Sequence, residues 1–495
     1  MTIEQTQRTP LATSAVDAGA AVIGWSLQAR AWVTEVGTAP DVHLVPALDG
    51  RLELPGPSES FSEDFGHLRH QDPQSVLRPG SVDDIVKIVN YARQCGVKVA
   101  MNGQGGRDDQ RESHSLYGQA LVDGGIAIDS KSLSTIHHIG PGTADVDAGV
   151  RWSELAIAAA ATGQIPPVVT DFPYLSVGGT LSIGGMGATS HRYGTQGDNV
   201  EELQVVTGRG DRVTCSRTQN RELFDAVLAG AGQYALIVRA VVRLVPVATA
   251  VRMTKVLYAD REAYLRDAIA VMQGGLVDDL NGAIVPTEGG GWGYALLLGF
   301  YETPASSTVE RAVLESLAAG STVLEQQEMP YLDWLFRLDA FWDQLQAGGY
   351  WEQAKPRFTV FVPADHVAEL VEAVLAELTP DDLGAGGVRL APINTAAIKQ
   401  PMFMLPSRTS PAVEFSIGRF PAPGHPDIPG LLAQNRRIYD HAVALGGKRY
   451  LYGAIPGMNT GDWMRHYGDQ WTVIRALKAH FDPDHVLTPG QRIFG

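Results

Sequence analysis

Between Asp171 and Gly187 the chain reads DFPYLSVGGTLSIGGMG, and no other stretch limits the fold so tightly. A single carboxylate stands among turn formers and leads into a glycine-rich run that carries two hydroxyls, Thr180 and Ser182. Glycine lets a backbone approach a bulky anion closely, and exposed N–H groups with Ser/Thr hydroxyls hold phosphate oxygens. Asp171, just upstream, is placed to meet the reactive end of the same ligand. Taken alone, the run reads equally well as a structural turn. The rest of the chain has to decide.

Short elements of both kinds alternate around it. SVLRP predicts a strand, and Val82, Ile85, Ile88, Val89 and Ala92 recur at helical spacing after an N-cap at Ser81, with Asp83 and Asp84 in the first turn. VKVAMN, GGIAIDS, ADVDAGVRW, ELQVVTG and DRVTCS are short β-rich runs bounded by Gly, Asp or Ser. ELFDAVLAGAG predicts a helix ending on glycine, and ALIVRAVVRLVPV a long strand. In the middle third, helical patterns (VERAVLESLAAG, HVAELVEAVLAEL) alternate with strands (GWGYALLLGFY, RFTVFVP), which predicts a second sheet covered by helices. Residues 1–60, rich in Thr, Ala, Pro and Ser, predict a loosely packed leader with one short helix. There are no internal repeats.

Seven segments carry a resemblance, in order along the chain: DPQSVLRPGSVDDIVKIVNYARQCGVKVA (72–100), HSLYGQA (114–120), TDFPYLSVGGTLS (170–182), NVEELQVVTGRGDRVTCS (199–216), ELFDAVLAGAGQYALIVRAVVRLVP (222–246), YLDWL (331–335) and FDPDHVLTPGQRIF (481–494). Together they resemble the FAD-linked oxidoreductases of the vanillyl-alcohol oxidase type (PCMH-type FAD-binding), closest to cytokinin dehydrogenase-like proteins. The resemblance implies an α+β fold with a two-lobed PCMH-type FAD-binding domain and a cytokinin dehydrogenase-like substrate domain, a sheet covered by helices. The expected division is a leader over 1–60, the first FAD-binding segment over 61–246, a substrate-binding domain over 247–450 and a returning FAD-binding segment over 451–495.

Composition narrows the partners. At 495 residues, 44% hydrophobic and 19% charged, the chain has the make-up of a globular protein of more than one domain. A net charge of −16 argues against nucleic acid or an anionic membrane as the main partner. Cys95 and Cys215 are the only cysteines, in settings (YARQCG, RVTCSR) that predict a helix end and a strand end, so neither a disulfide framework nor a metal site is expected. The N-terminus lacks a basic n-region, and its apolar stretch Ala18–Trp25 is short, so neither a signal peptide nor a membrane span is read there and a cytoplasmic location is expected. Nothing in the sequence speaks to oligomeric state.

The resemblance assigns candidate residues one by one. His114, within HSLYGQ, matches the histidine that bonds covalently to the 8α carbon of FAD. A neutral imidazole is the nucleophile this requires, and a histidine near its ordinary pKa of ~6.5 supplies one. The family's loop runs directly into its His-Ser, whereas here Asn102-Gly103-Gln104-Gly105 is separated from His114 by the eight residues GRDDQRES, Gly106–Ser113. An excursion that loops outward and leaves His114 in place is expected, because lengthening a surface loop costs little. Gly103, Gly105, Ser115, Gln119, Ser176, Ser182, Ile237, Tyr450 and Gln491 fall at the family's FAD-contact positions. The cysteine that makes a second covalent link in berberine-bridge-type enzymes is replaced here by Phe172, so a bicovalent flavin is not expected.

Asp171 matches the catalytic aspartate, which takes a proton from the substrate while hydride leaves the adjacent carbon for flavin N5. For a carboxylate to be an effective base its pKa should be raised by burial, and burial is expected here. In the substrate pocket, Arg357 and Thr359 stand where cytokinin dehydrogenases carry a tryptophan and an asparagine, and Leu451 follows Tyr450. A guanidinium is a partner for carboxylate or phosphate, not a flat wall for adenine. It faces the substrate, points to solvent, or pairs with a local acid such as Glu352. The expected substrate is therefore a small amine or alcohol, of secondary metabolism, with a polar or anionic arm, and O2 or another acceptor receives the electrons. A true cytokinin dehydrogenase and a flavin-fold cyclase or binding protein without redox turnover are the alternatives. GQGGRD, GRGD and GAGQ lack the spacing of a Rossmann fingerprint, and no Walker A, G-x-S-x-G or HExxH motif is present.

Overall fold

A computed structural model describes residues 19–35, 41–56, 61–107, 112–287 and 289–494. The first lobe starts from a four-stranded sheet in the order Arg51–Glu53, Ser75–Arg78, Ile126–Asp129, Val99–Asn102, whose last two pairings are parallel. The helix Val82–Cys95 makes the crossover. Its predicted stripe is the buried one, with Ile85, Ile88, Val89 and Ala92 fully enclosed, and Gly96 ends it in the left-handed conformation (φ 66°). Ser81 does occupy the N-cap, but its hydroxyl turns away to Asp49 (2.7 Å). The buried Asp84 ties down this end instead, accepting N–H bonds from Gly80, Asp49 and Gly50 at 2.7–2.9 Å.

Beside it lies a five-stranded antiparallel sheet, ordered Ile136–Gly140, Thr143–Asp147, Ala235–Arg243, Val200–Thr207, Arg212–Ser216. The long strand read from ALIVRAVVR is its centre, and the glycine-rich segment packs on it through Val177 and Leu181, both fully buried with Trp152. The second lobe is an eight-stranded antiparallel sheet built entirely from strands between residues 250 and 449. Helices Arg261–Gly274, Val367–Leu375 and Ile428–Ala444 bury their apolar faces in the same core as this sheet. The α+β fold is as expected, with two sheets in the first lobe and a separate helix-covered sheet in the second.

The N-terminal region differs from expectation. No helix is present among the described residues before Arg51; Gly24–Ser26, Ala31–Val33 and Val42–Leu44 form a three-stranded sheet. Val22, Trp25 and Leu52 are buried in the core of the first lobe, so residues 19–35 and 41–56 are packed structure and not a loose leader. Three-residue strands show no alternation, which hides them from a periodicity reading. Residues 1–18 lie outside the described residues.

The C-terminal segment returns to the first lobe. Val99 donates its N–H to Val486 O (2.9 Å) and accepts from Thr488 N–H (2.8 Å). The turn is braced by the buried ion pair Lys478–Asp482 (2.7 Å), with Asp482 also taking the N–H groups of Val486 and Leu487. Cys95 ends its helix and Cys215 lies on the strand Arg212–Ser216, both as free thiols. Among the described residues no helix is long and apolar enough to cross a membrane, and no group of three His, Cys, Asp or Glu side chains could hold a metal.

Candidate functional site

Where the two sheets of the first lobe meet the glycine-rich segment, the structure encloses a cavity of about 1040 Å³, counted to its open mouth. Glycines shape it. A Cβ on Gly103 would stand 2.3 Å from Ser176 Oγ, and one on Gly178 2.8 Å from Ala148 Cβ. Ser176 caps the short helix Val177–Leu181 by accepting from Gly179 N–H (3.3 Å). The two hydroxyls that suggested phosphate binding are engaged within the protein. Thr180 Oγ1 accepts from Trp152 Nε1 (2.7 Å) and donates to Val177 O, and Ser182 Oγ donates to Gly178 O (2.8 Å). They brace the segment whose backbone lines the cavity.

Of the ten residues proposed to contact cofactor, Gly103, His114, Ser115, Gln119, Ser176, Ser182, Ile237 and Gln491 line this cavity. Gly105 does not; it backs His114, and a Cβ there would stand 3.0 Å from the imidazole Nδ1. Tyr450 does not either. Its hydroxyl accepts from Gly185 N–H (3.2 Å) and its ring borders a smaller neighbouring cavity, while Tyr452, two residues on, reaches the main wall. The strand ends at Arg449, so side-chain alternation cannot be carried through this segment. Asn102, Ser130 and Thr488 also line the cavity and carry no motif that would have singled them out.

His114 sits at the cavity wall despite the preceding excursion. Gln104–Gly105 pairs antiparallel with Glu112–Ser113, which closes the inserted loop at its base; residues 108–111 lie outside the described residues. Arg107 binds Asp343, and Trp351 Nε1 donates to Glu112 Oε1 (2.8 Å), so both flanks of the loop reach the second lobe. The His114 ring lies between Phe65 and Phe172, with centroids 4.8 and 5.0 Å away. Nδ1 is 3.2 Å from Glu112 O, and Nε2 is buried without a hydrogen-bond partner. Burial pushes the imidazole pKa down to about 4, helped by Lys355 and Arg357, well below the ordinary value expected from sequence. The ring is neutral.

Asp171 lies four residues before Leu175, a lining residue, with its side chain three-tenths exposed. Oδ1 accepts from Arg337 Nη2 (2.8 Å) and Oδ2 from Arg389 Nη1 (2.9 Å). Burial alone would raise this carboxyl, as expected, but the two guanidiniums outweigh it and hold the pKa below the ordinary value. The sequence expectation of a raised pKa is thus reversed by two cations. Neither arginine carried any sequence signal.

Among the three pocket candidates, Arg357 is half-buried, its guanidinium over the rings of Phe420 (5.3 Å) and Tyr452 (5.2 Å). No ion pair joins it to Glu352 or to any other carboxylate among the described residues. Thr359 is buried and bonds Ser416 (2.8 Å). Leu451 is buried too; its carbonyl accepts from the Gln119 amide, and its side chain belongs to the smaller cavity.

The arrangement fits a large flat dinucleotide. The glycine cradle leaves no room for side chains, and buried polar groups stand unpartnered around the cavity: both amide atoms of Asn102, both of Gln491, Ser130 Oγ and His114 Nε2. The cavity has the size and the polar lining to take such a cofactor. Residues 73–216 match the FAD binding domain family, and residues 283–494 the family described as cytokinin dehydrogenase 1, FAD and cytokinin binding. The chain belongs to the cytokinin dehydrogenase-like FAD-dependent oxidoreductases. It is 36% identical to an uncharacterized oxidoreductase, ORF5 of the fasciation locus, from Rhodococcoides fascians, over 88% of this chain and 96% of that one. Cytokinin dehydrogenase 4 of Arabidopsis thaliana is 30% identical over 88% of this chain and 90% of its own length. Among solved structures, 6-hydroxy-D-nicotine oxidase from Arthrobacter nicotinovorans superposes with a TM-score of 0.68 at 20% identity, covering 91% of this chain and 98% of that one. A VAO-type flavoprotein from Myceliophthora thermophila gives 0.65 at 19%, covering 84% and 78%. At these identities the two structures speak to fold alone.

Proposed function

We propose that this enzyme oxidises a small amine or alcohol at the carbon bearing the nitrogen or oxygen, with Asp171 accepting the N–H or O–H proton or hydrogen bond. FAD, when bound, would supply the hydride acceptor, with O2 or another compound as the final electron acceptor. In this reading His114 anchors the flavin covalently, and the amides of Asn102 and Gln491, with the backbone around Gly103 and Gly178–Gly179, hold it. The observation that supports the reading most is a carboxylate with exposed surface, four residues along the chain from the lining residue Leu175 and held by Arg337 and Arg389 of the second lobe. Arg357 favours a substrate with a polar or anionic arm: a guanidinium held by two aromatic faces beside Tyr452, with no carboxylate partner among the described residues, is available to a ligand anion.

The test is an anaerobic screen of amines and alcohols, with and without acidic arms, read by bleaching of the flavin spectrum. No bleaching by any member would remove the redox reading. Rapid reduction by isopentenyladenine, unchanged in Arg357→Ala, would favour the second reading, a true cytokinin dehydrogenase, which the named plant relatives support. A separate prediction concerns the cradle. Gly103→Ala forces its Cβ against Ser176, and overpacking of this kind costs about 1–3 kcal/mol. Denaturant unfolding of the variant is expected to show its stability lowered by that amount, and no measurable loss would show that Ser176 yields without strain.

A further inference from the structure

The role proposed for Asp171 leaves unexplained why two arginines hold it. Each oxygen takes one guanidinium, and the two come from different elements of the second lobe: Arg337 from the turn after the helix Tyr331–Leu335, Arg389 from the strand Gly387–Ile393. Both guanidiniums are themselves fixed. Arg337 lies over the Trp334 ring at 3.6 Å and donates Nη1 to Trp334 O (3.1 Å), while Arg389 faces the Glu414 carboxylate with Nε 3.1 Å from Oε2. We infer that Arg337 and Arg389 are positioning residues that clamp Asp171 as a permanent, non-rotating anion, and that Glu414 weakens the clamp by sharing the charge of Arg389. The inference rests on the reading of Asp171 as the group that meets the substrate.

An ionised carboxylate has about four acceptor sites, so one bond to each oxygen leaves room for a substrate N–H or O–H while forbidding rotation about the Cβ–Cγ bond. Charged groups face the cluster from every side. Glu414 approaches from the strand Ala412–Gly418, and Asp279, whose burial raises its pKa to about 6, from the strand Asp279–Pro286 near Arg337. Tyr301 and Tyr331 surround Asp279, and Tyr450 faces Glu414 and Arg389. Two cations in direct contact win over burial and over the like charge of Glu414. A pKa lowered in this way means the group stays ionised as pH falls past the ordinary carboxylate range. Asp171 then acts as a fixed acceptor, not as a base tuned to the working pH.

An infrared pH titration of the holoenzyme against its Asp171→Asn variant reads the protonation of this one carboxyl without any substrate. At about pH 5 the wild-type difference spectrum is expected to show ionised carboxylate only. Arg389→Met and Arg337→Met should each raise the midpoint by about 1–3 pH units, and Arg389→Lys should restore most of the shift. Adding Glu414→Gln to Arg337→Met should move the midpoint back down, since Arg389 is then shared with no second carboxylate. Midpoints that stay put in both Met variants, or a Glu414→Gln shift upward, overturn the clamp. Should a Met variant fail to fold, Arg389→Gln and Arg337→Gln carry the same measurement. The pH profile of flavin reduction by isopentenyladenine, or by benzylamine where that is inert, separates the two readings. An infrared midpoint that moves while the acid limb of reduction does not would keep the clamp and remove Asp171 from the reaction.

Discussion

His114→Ala is expected to give a protein that is yellow when purified and white when precipitated with acid, all of its FAD passing to the supernatant. Wild-type protein should carry one FAD per chain and keep its colour in the pellet. The expectation is near all-or-none because only a covalent bond survives unfolding, whereas the other cavity contacts do not. Three observations support such a bond: a ring set between Phe65 and Phe172, a neutral imidazole, and an Nε2 with no hydrogen bond, its nearest acid being Glu112 Oε1 at 3.8 Å. A nucleophile is effective in its unprotonated form, and a pKa of about 4 keeps His114 in that form throughout the neutral range. A wild-type pellet that comes down white would end the covalent reading while leaving the FAD site standing.

Asp171→Asn should slow anaerobic flavin reduction by ~10²- to 10⁴-fold, the usual span for loss of a proton acceptor. The substitution has a second effect that must be separated from the first. It leaves Arg337 and Arg389 facing a neutral amide, and breaking a buried pair from one side costs about 3–5 kcal/mol when burial is complete. With these side chains 20–30% exposed, the loss should fall below that range. Thermal melting and FAD content of the variant therefore accompany the kinetics. A variant that melts earlier but keeps its flavin and loses under threefold in reduction rate would make Asp171 a cross-link between lobes and nothing more.

The sequence exposes the parts of this site that depend on local chain chemistry. The glycine run, the His-Ser pair and the long central strand are each a few consecutive residues, and the structure brings Gly103, His114 and Ser176 together around one cavity. What it hides is set by contacts between distant segments. Arg337 and Arg389 meet Asp171 across 166 and 218 residues, so the carboxylate looked like a base awaiting burial when it is in fact held by charge. The same holds on a smaller scale at Ser81, where the expected cap yields to Asp84 because Asp49 and Gly50 arrive from another strand connection. Tyr452 reaches the wall where Tyr450 was expected, because the pairing that would fix side-chain direction stops at Arg449.

The return of the chain to its first lobe bears on when the enzyme can be assembled. Thr488 and Gln491 form part of the cavity wall, and the backbone of Val486 and Thr488 adds to the sheet edge at Val99. A ribosome delivers these residues nearly four hundred positions after the strand they join. Helices and hairpins of the first lobe can form during synthesis, but the cavity proposed for the dinucleotide lacks one side until the last segment emerges. For the cofactor site proposed above, loading of the flavin would be a late event, and a nascent or prematurely terminated chain would have no closed site to fill.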